Sequence, residues 1–292
     1  MAQAEETRTR LCNAHGWNAD AVELVPVLAT GDRIQDRPLA EIGGKALWTK
    51  ELDQWLHEGR IDAAVHSMKD VETIRPDWLA IAAILPRADT RDVLFGAPGI
   101  AALPQGARIG TSAPRRAAQM LHARPDCTIV PFRGNVATRL AKLAAGEADA
   151  TLLAAAGLER LGQPHAGTPL PLEEWLPAPA QGAIGIECRA DDAATRAVLA
   201  KIDHAPSRAR VTAERTLLLA LGGNCHSPIA VRSAIEGEVI AMHAALFSPD
   251  GAQRVDGEAR FPASDPGEAG ALAADLLRRA PPPIAEHFAG AA

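Results

Sequence analysis

A chain of 292 residues corresponds, at roughly 150 residues per domain, to two domains or three small ones. Its 30 basic against 36 acidic side chains leave a net charge of −6, so no global basic field attracts nucleic acid, and any anion site must be a local concentration of Arg and Lys. With 47% hydrophobic and 23% charged residues, the composition excludes wholesale disorder and a core that needs disulfide or metal staples.

The first eleven residues read as a polar helical fragment, and Met1 to Glu6 lack the basic start and apolar stretch of a signal peptide. Ala21–Leu28 (AVELVPVL) looks like a strand, followed by a turn at Thr30-Gly31-Asp32. Gly43-Gly44-Lys45 opens a helix to about Glu58, with Trp48, Leu52, Trp55 and Leu56 on one face and Gly59 as its stop. Ile61–Val65 and Leu79–Leu85 are apolar strands; between them lies His66-Ser67-Met68-Lys69-Asp70. Strands alternating with helices predict a parallel sheet covered on both faces.

The pattern restarts near Arg87–Asp92. Arg108-Ile109-Gly110 leads to Pro114, which suits the first turn of a helix ending near Ala123. Thr128–Phe132 is strand-like, Arg133-Gly134-Asn135 opens a helix to about Ala145, and a strand over Ala150–Leu153 precedes a helix to Leu161. Five prolines mark Pro164–Pro179 as a connection, and Ala183–Cys188 reads as a strand. Ser207 is the expected N-cap of a helix reaching Leu221 and ending at Gly222-Gly223. Beyond it, strands around Ile229–Val231, Val239–Phe247 and Val255–Phe261, a Ser248-Pro249-Asp250-Gly251 turn and a helix over Gly267–Arg279 predict an antiparallel meander.

Three basic segments follow strands and enter helices: Lys69-Asp70, Gly110 to Arg116, and Arg133 to Arg139. Such strand-to-helix edges bind ligands in open α/β sheets, and free N–H groups with Arg forks suit carboxylates or phosphates. The alternative is that Arg115 and Arg116 are solvated helix residues. Asp70 is either a capping or turn residue, or a carboxylate that stabilises a cation or shuttles protons. His66 reads as a satisfied strand-end histidine rather than a base. The four cysteines, Cys12, Cys127, Cys188 and Cys225, have no metal-ligand or paired spacing, which suits a reducing compartment and predicts no metal. Cys225 follows a Gly-Gly loop; it is either a structural thiol or one presented for covalent attachment, and a dyad with His226 is disfavoured because neighbours on an extended loop point apart.

Together, Ala64 to Val71, Gly110-Thr111-Ser112…Arg115-Arg116, Arg133 to Leu140, Ala156 to Gly162, Ala180 to Arg189 and Ala213-Glu214-Arg215…Gly222-Gly223-Asn224-Cys225 resemble the porphobilinogen deaminase family in order and spacing, from about Val22 to the C-terminus. The resemblance implies a cytoplasmic, monomeric transferase without nucleic-acid or membrane partners. It would condense four porphobilinogen molecules into hydroxymethylbilane with release of ammonia, primed by a dipyrromethane cofactor on Cys225 through a thioether. It implies a catalytic role for Asp70, cofactor contacts from Ser67, Lys69, Thr111, Ser112, Arg115, Arg116, Arg133, Gly134, Asn135, Arg139 and Gln181, and substrate contacts from Arg116, Arg133, Arg139 and Arg160. The implied fold is α/β: two periplasmic-binding-protein-like doubly wound domains (1–87 with 180–203, and 88–179), with the active site in their cleft. A smaller α+β domain (204–292) carries the cysteine loop.

Three departures stand out. Ala113-Pro114 replace a hydroxyl-bearing pair, Glu72 stands where the family usually has proline, and the family's opening strand with its Arg-x-Ser-x-Leu-Ala-type segment is missing. That last departure predicts a first domain without its first strand. It also keeps open an inactive homologue or a small-acid binding module of the periplasmic type.

Overall fold

The computed structural model describes residues 1–27, 49–224 and 226–288. The chain divides into two compact units, Met1–Ala88 with Gly182–Arg208, and Asp89–Gln181 with Ala209–Ala292.

In the first unit, Ile184–Arg189 is the central strand, flanked by Ala64–Ser67 and Leu79–Ile84, and both pairings are antiparallel. Ile184, Ile186 and Cys188 point to one face, where they pack with Leu11, Ala83, Leu85, Leu199 and Ile202. The alternate positions, Gly185 and Glu187, point to the other face. Gly185 has no room for a side chain, since a Cβ there would lie 2.1 Å from Met68 Sδ. The helix Lys50–His57 turns its apolar stripe inward, so that Leu56 packs with Ala64 and Leu79.

The second unit holds a five-stranded sheet in the order Thr128–Val130, Arg108–Gly110, Ala150–Ala154, Asp92–Phe95, Thr168–Pro169. The first three strands are parallel and the last two pair antiparallel. Each parallel strand feeds a helix: Pro114–Ala123, Val136–Ala144 and Ala155–Arg160. Leu94, Ile109, Met120, Leu152, Leu170 and Trp175 fill the core beneath. Ile229–Glu236, Val239–Phe247 and Arg254–Pro262 make the expected antiparallel meander, covered by Ala269–Arg279 and by Ala213, Leu217 and Leu221.

Several expectations shift. Val22–Val27 form no strand; Ala19–Ala21 is a 3-10 turn instead, and the run's alternation is interrupted by Glu23 and Pro26. The turn at Thr30-Gly31-Asp32 and the helix start at Gly43-Gly44-Lys45 lie outside the described residues. The strand expected over Ile61–Val65 is Ala64–Ser67, because its register partners are Glu187 to Ile184. The wholly parallel sheet is corrected to an antiparallel one in the first unit and a mixed one in the second, since strands buried on both faces carry no directional signal. Ser207 is not the N-cap. The helix begins at Ala205, and the His204 ring nitrogen accepts the Ser207 N–H at 3.3 Å. No helix among the described residues is long and apolar enough to cross a membrane.

The Ser248–Gly251 turn reaches back to the Pro114–Ala123 helix, where His122 Nδ1 lies 2.9 Å from Gly251 O. Gly251 has φ 71°, and a Cβ would sit 2.5 Å from His122 N and 2.6 Å from Ala118 O. Gly251→Ala therefore combines left-handed strain of about 1–3 kcal/mol with a clash against backbone that cannot swing aside. We expect Tm to fall by several degrees in thermal unfolding; an unchanged Tm would mean that the turn is not fixed against the helix.

Candidate functional site

The second unit is organised around an acid. Asp92 opens an apolar strand and is fully buried. It takes hydrogen bonds from Arg116 Nη2 at 2.6 Å, Trp175 Nε1 at 2.8 Å and Gln181 Nε2 at 3.0 Å, and pairs with Arg115 Nη2 at 2.8 Å. Burial alone would raise this carboxyl, but the charges of Arg115 and Arg116 and the bonds from Arg116 and Trp175 outweigh it and hold Asp92 well below the ordinary carboxylate range. Burial conversely lowers the Arg115 guanidinium, opposed by Asp92. Arg115 and Arg116 are thus not solvated helix residues. Arg116 Nη1 also donates to Leu152 O, and Arg115 Nη1 to Leu176 O, each at 2.9 Å. Gln181 is equally committed, with Nε2 donating to Thr90 O at 2.7 Å. Beside it Ala180 holds a left-handed φ of 58°, its N–H donating to buried Glu214 Oε2 at 2.7 Å.

Fixing these arginines fixes the first turn of the Pro114–Ala123 helix and the residues before it. The Thr111 N–H donates to Val130 O at 2.9 Å, placing Thr111 and exposed Ser112 at the carboxyl end of one parallel strand, beside the segment that follows its neighbour. That segment is Arg133-Gly134-Asn135. Asn135 Oδ1 caps the next helix by accepting the Thr138 N–H at 2.9 Å. Gly134 has φ 100°, and a Cβ there would meet Thr138 Cγ2 at 2.7 Å, so glycine and asparagine at these positions already have structural reasons. Arg139 Nε donates to Gly134 O at 2.9 Å, and Arg133, Arg139 and Arg160 are half-buried. The structure therefore gathers Thr111, Ser112, Arg133 and Arg139 along one strand-to-helix edge, while Arg160 ends the helix after the third parallel strand.

In the first unit the buried acid is Glu187. It receives Arg75 Nε at 2.8 Å and Nη2 at 2.9 Å, with His66 Nε2 at 3.1 Å. Burial would raise this carboxyl, but the bonds from His66 and Arg75 bring it down to about 2. His66 is a buried histidine of that strand, set against Glu187. Arg75 also reaches Glu72 at 2.8 Å and Asp53 at 2.6 Å. Burial pushes the Asp53 carboxyl up despite that contact. Ser67 ends the strand half-buried, and Lys69 and Asp70 stand exposed on the following 3-10 turn. Among the described residues none donates a hydrogen bond to the Asp70 carboxylate, so it does not serve as a cap there.

Cys225, Asp70's counterpart in the sequence reading, lies outside the described residues. Before it the helix Ala205–Ala220 ends with Gly222 at φ 66°, and around it Asn224 Oδ1 accepts the His226 N–H at 2.8 Å. Cys127 and Cys188 are buried, and burial pushes both thiols up; Cys12 lies 3.5 Å from Asn18 O. Among the described residues no group of three or more His, Cys, Asp or Glu side chains is placed to hold a metal ion.

Asp92, Glu187, Arg75 and Glu214 escaped the sequence reading as site-forming residues. The usable signal was a single charge at an inward position of an apolar strand, in Asp92-Val93-Leu94 and Ile184-Gly185-Ile186-Glu187, which demands an opposite charge from elsewhere.

A family model described as porphobilinogen deaminase, dipyromethane cofactor binding domain, matches residues 1–197, and one described as porphobilinogen deaminase, C-terminal domain, matches residues 208–279. The porphobilinogen deaminase of Sphingopyxis alaskensis is 58% identical over 295 residues, spanning 99% of this chain and 93% of that protein. That of Paracoccus denitrificans is 50% identical over 285 residues, spanning 96% and 91%.

The ion network around Glu187 has a pH signature. Its carboxyl titrates near 4.5 when unperturbed and at about 2 when folded. A depressed folded-state pKa contributes stability that is complete above the unfolded value and is lost as pH falls through the folded one. Stability of the parent against urea should fall from about pH 5 down to about pH 2, and Glu187→Gln, less stable at neutral pH, should show a flatter acid limb. An acid limb of equal slope in both proteins would place the titrating group elsewhere.

Proposed function

The chain belongs to the porphobilinogen deaminase family, and on that premise we propose how its own residues carry the reaction. It is a transferase that condenses porphobilinogen with loss of ammonia and carries a dipyrromethane cofactor. The finer assignments are our reading: Cys225 as the attachment residue, Asp70 as the catalytic carboxylate, and the arginines as binders of acetate and propionate side chains. We read the protein as a cytoplasmic monomer, with residues 204–292 as a domain of their own because one face of the meander and its helices enclose a large core, while Ala230, Ala245 and Phe247 on the other face pack with Ala118 and Leu176.

The second unit fits a group rich in carboxylates. Arg116 Nε is a buried N–H donor that has no acceptor among the described residues, and a buried donor of that kind calls for one. Arg133 and Arg139 flank the capped N-terminus of Val136–Ala144, where the helix end itself favours an anion. Arg133, Arg139, Thr111 and Ser112 would hold the cofactor's acid side chains, and Arg160 with Arg116 those of the incoming units. The bound dipyrromethane supplies the pyrrole carbon to which the next unit is joined.

The observation that carries the Asp70 assignment is an exposed carboxylate without a capping duty on a turn clamped at both ends by buried residues, Met68 and Val71. When the aminomethyl nitrogen of porphobilinogen leaves as ammonia, the remaining pyrrole carries positive charge. Asp70 stabilises that charge and can accept the proton released when the new carbon–carbon bond forms. Cys225 is favoured over Cys127 and Cys188 because those two are buried with thiols pushed up, which disfavours the nucleophilic thiolate.

Two measurements test this. Intact mass of purified Cys225→Ser should lack the cofactor adduct that the parent carries, and a variant that keeps the adduct overturns the attachment site. Asp70→Asn should keep the adduct while turnover falls by about 10²–10³; near-parent turnover would remove Asp70 from the chemistry.

A further inference from the structure

Lys69 and Asp70 are the two exposed residues of a segment that is otherwise tied down. Upstream, the Met68 N–H donates to Ala183 O at 3.0 Å, and the buried Met68 side chain lies over Gly185. Downstream, Val71 is buried and Glu72 accepts from Arg75 Nη1 at 2.8 Å and Thr49 Oγ1 at 3.0 Å. Arg75 does not act alone. It forks onto Glu187, which also holds His66 of the strand entering the turn. The backbone that carries Asp70 is therefore strung between two points of one buried charge network, His66 before it and Glu72 after it.

We propose that Glu72 is a positioning residue for turnover: through Arg75 it fixes the downstream end of the Lys69-Asp70 turn and so sets where the Asp70 carboxylate stands. The proposal rests on the reading of Asp70 as the catalytic carboxylate. It explains why an acid stands at this position. Arg75 faces three carboxylates, Glu72, Asp53 and Glu187. Losing the arginine would take the shared cation from all three at once, whereas losing Glu72 leaves Arg75 paired with the other two. Glu72 can thus act on the turn without being needed for the core.

The test measures kcat, KM, Tm and the covalent adduct for Glu72→Ala, for Asp70→Asn and for the double variant. A small displacement of a reacting group lowers rate far more than binding. We expect Glu72→Ala to lower kcat about tenfold while KM changes by less than about twofold, with Tm near the parent's and the adduct retained. In the Asp70→Asn background the same substitution should cost almost nothing further, because both act on one group. Glu72→Pro should recover most of kcat, since Val71 is extended (φ −92°, ψ 129°) as a residue before proline must be, and a fixed φ would replace the charged tether. Parent-like kcat in Glu72→Ala, a loss that tracks falling Tm, failure of Glu72→Pro to recover, or a full extra loss in the Asp70→Asn background would each overturn the proposal. Near-parent turnover in Asp70→Asn alone would instead overturn the reading of Asp70 on which it rests.

Discussion

A carboxylate taken out of water costs several kcal/mol unless charge and hydrogen bonds replace its solvation, and this protein buries one such group in a strand of each of two sheets. Asp92 and Glu187 both sit in strands, both are inaccessible, and both are reached by arginine from sequence-distant segments. Satisfying them dictates local geometry. Asp92 draws Arg115 and Arg116 inward and thereby sets the helix start that follows Thr111 and Ser112. Glu187 draws in Arg75 and His66, which brackets the turn of Lys69 and Asp70. Interior electrostatics thus place the residues that face outward.

The same constraint reconciles an acidic protein with ligands that are themselves acidic. The net charge of −6 offers no long-range attraction to a carboxylate-bearing substrate, so in the proposed reading binding would depend on short-range features: half-buried arginines, a capped helix N-terminus and a buried guanidinium N–H. Such contacts are strong because low local dielectric and fixed geometry favour Arg–carboxylate pairs. They also discriminate by the spacing of acid groups rather than by total charge.

Much of this architecture was legible. Pro114 and Arg133-Gly134-Asn135 announced their helices, and Ser248-Pro249-Asp250-Gly251 its turn, because each signal is local. Strand direction was not, since Ile184–Arg189 is buried on both faces and reads alike in either sense. Nor were the acid partners: Arg75 and Glu187 lie 112 positions apart, and Asp92 and Trp175 83. Trp175 comes from a proline-rich connection that carries no periodicity to betray it. Arg115 and Arg116 show the limit most clearly. Adjacent arginines on a helix could be read as solvent-facing or ligand-facing, and only Asp92, in another strand, reveals that both turn inward.

The chain order of the first sheet has a consequence for synthesis. Its central strand, Ile184–Arg189, leaves the ribosome long after Ala64–Ser67 and Leu79–Ile84, and those two strands are not bonded to each other. The strands of the five-stranded sheet all lie between Asp92 and Pro169, so that sheet can close first. Until Glu187 emerges, His66 and Arg75 have no buried acid to meet, and two apolar strands present unpaired edges, the state most open to mispairing with other chains. The portion translated earliest therefore cannot complete its sheet until residue 189 has been made.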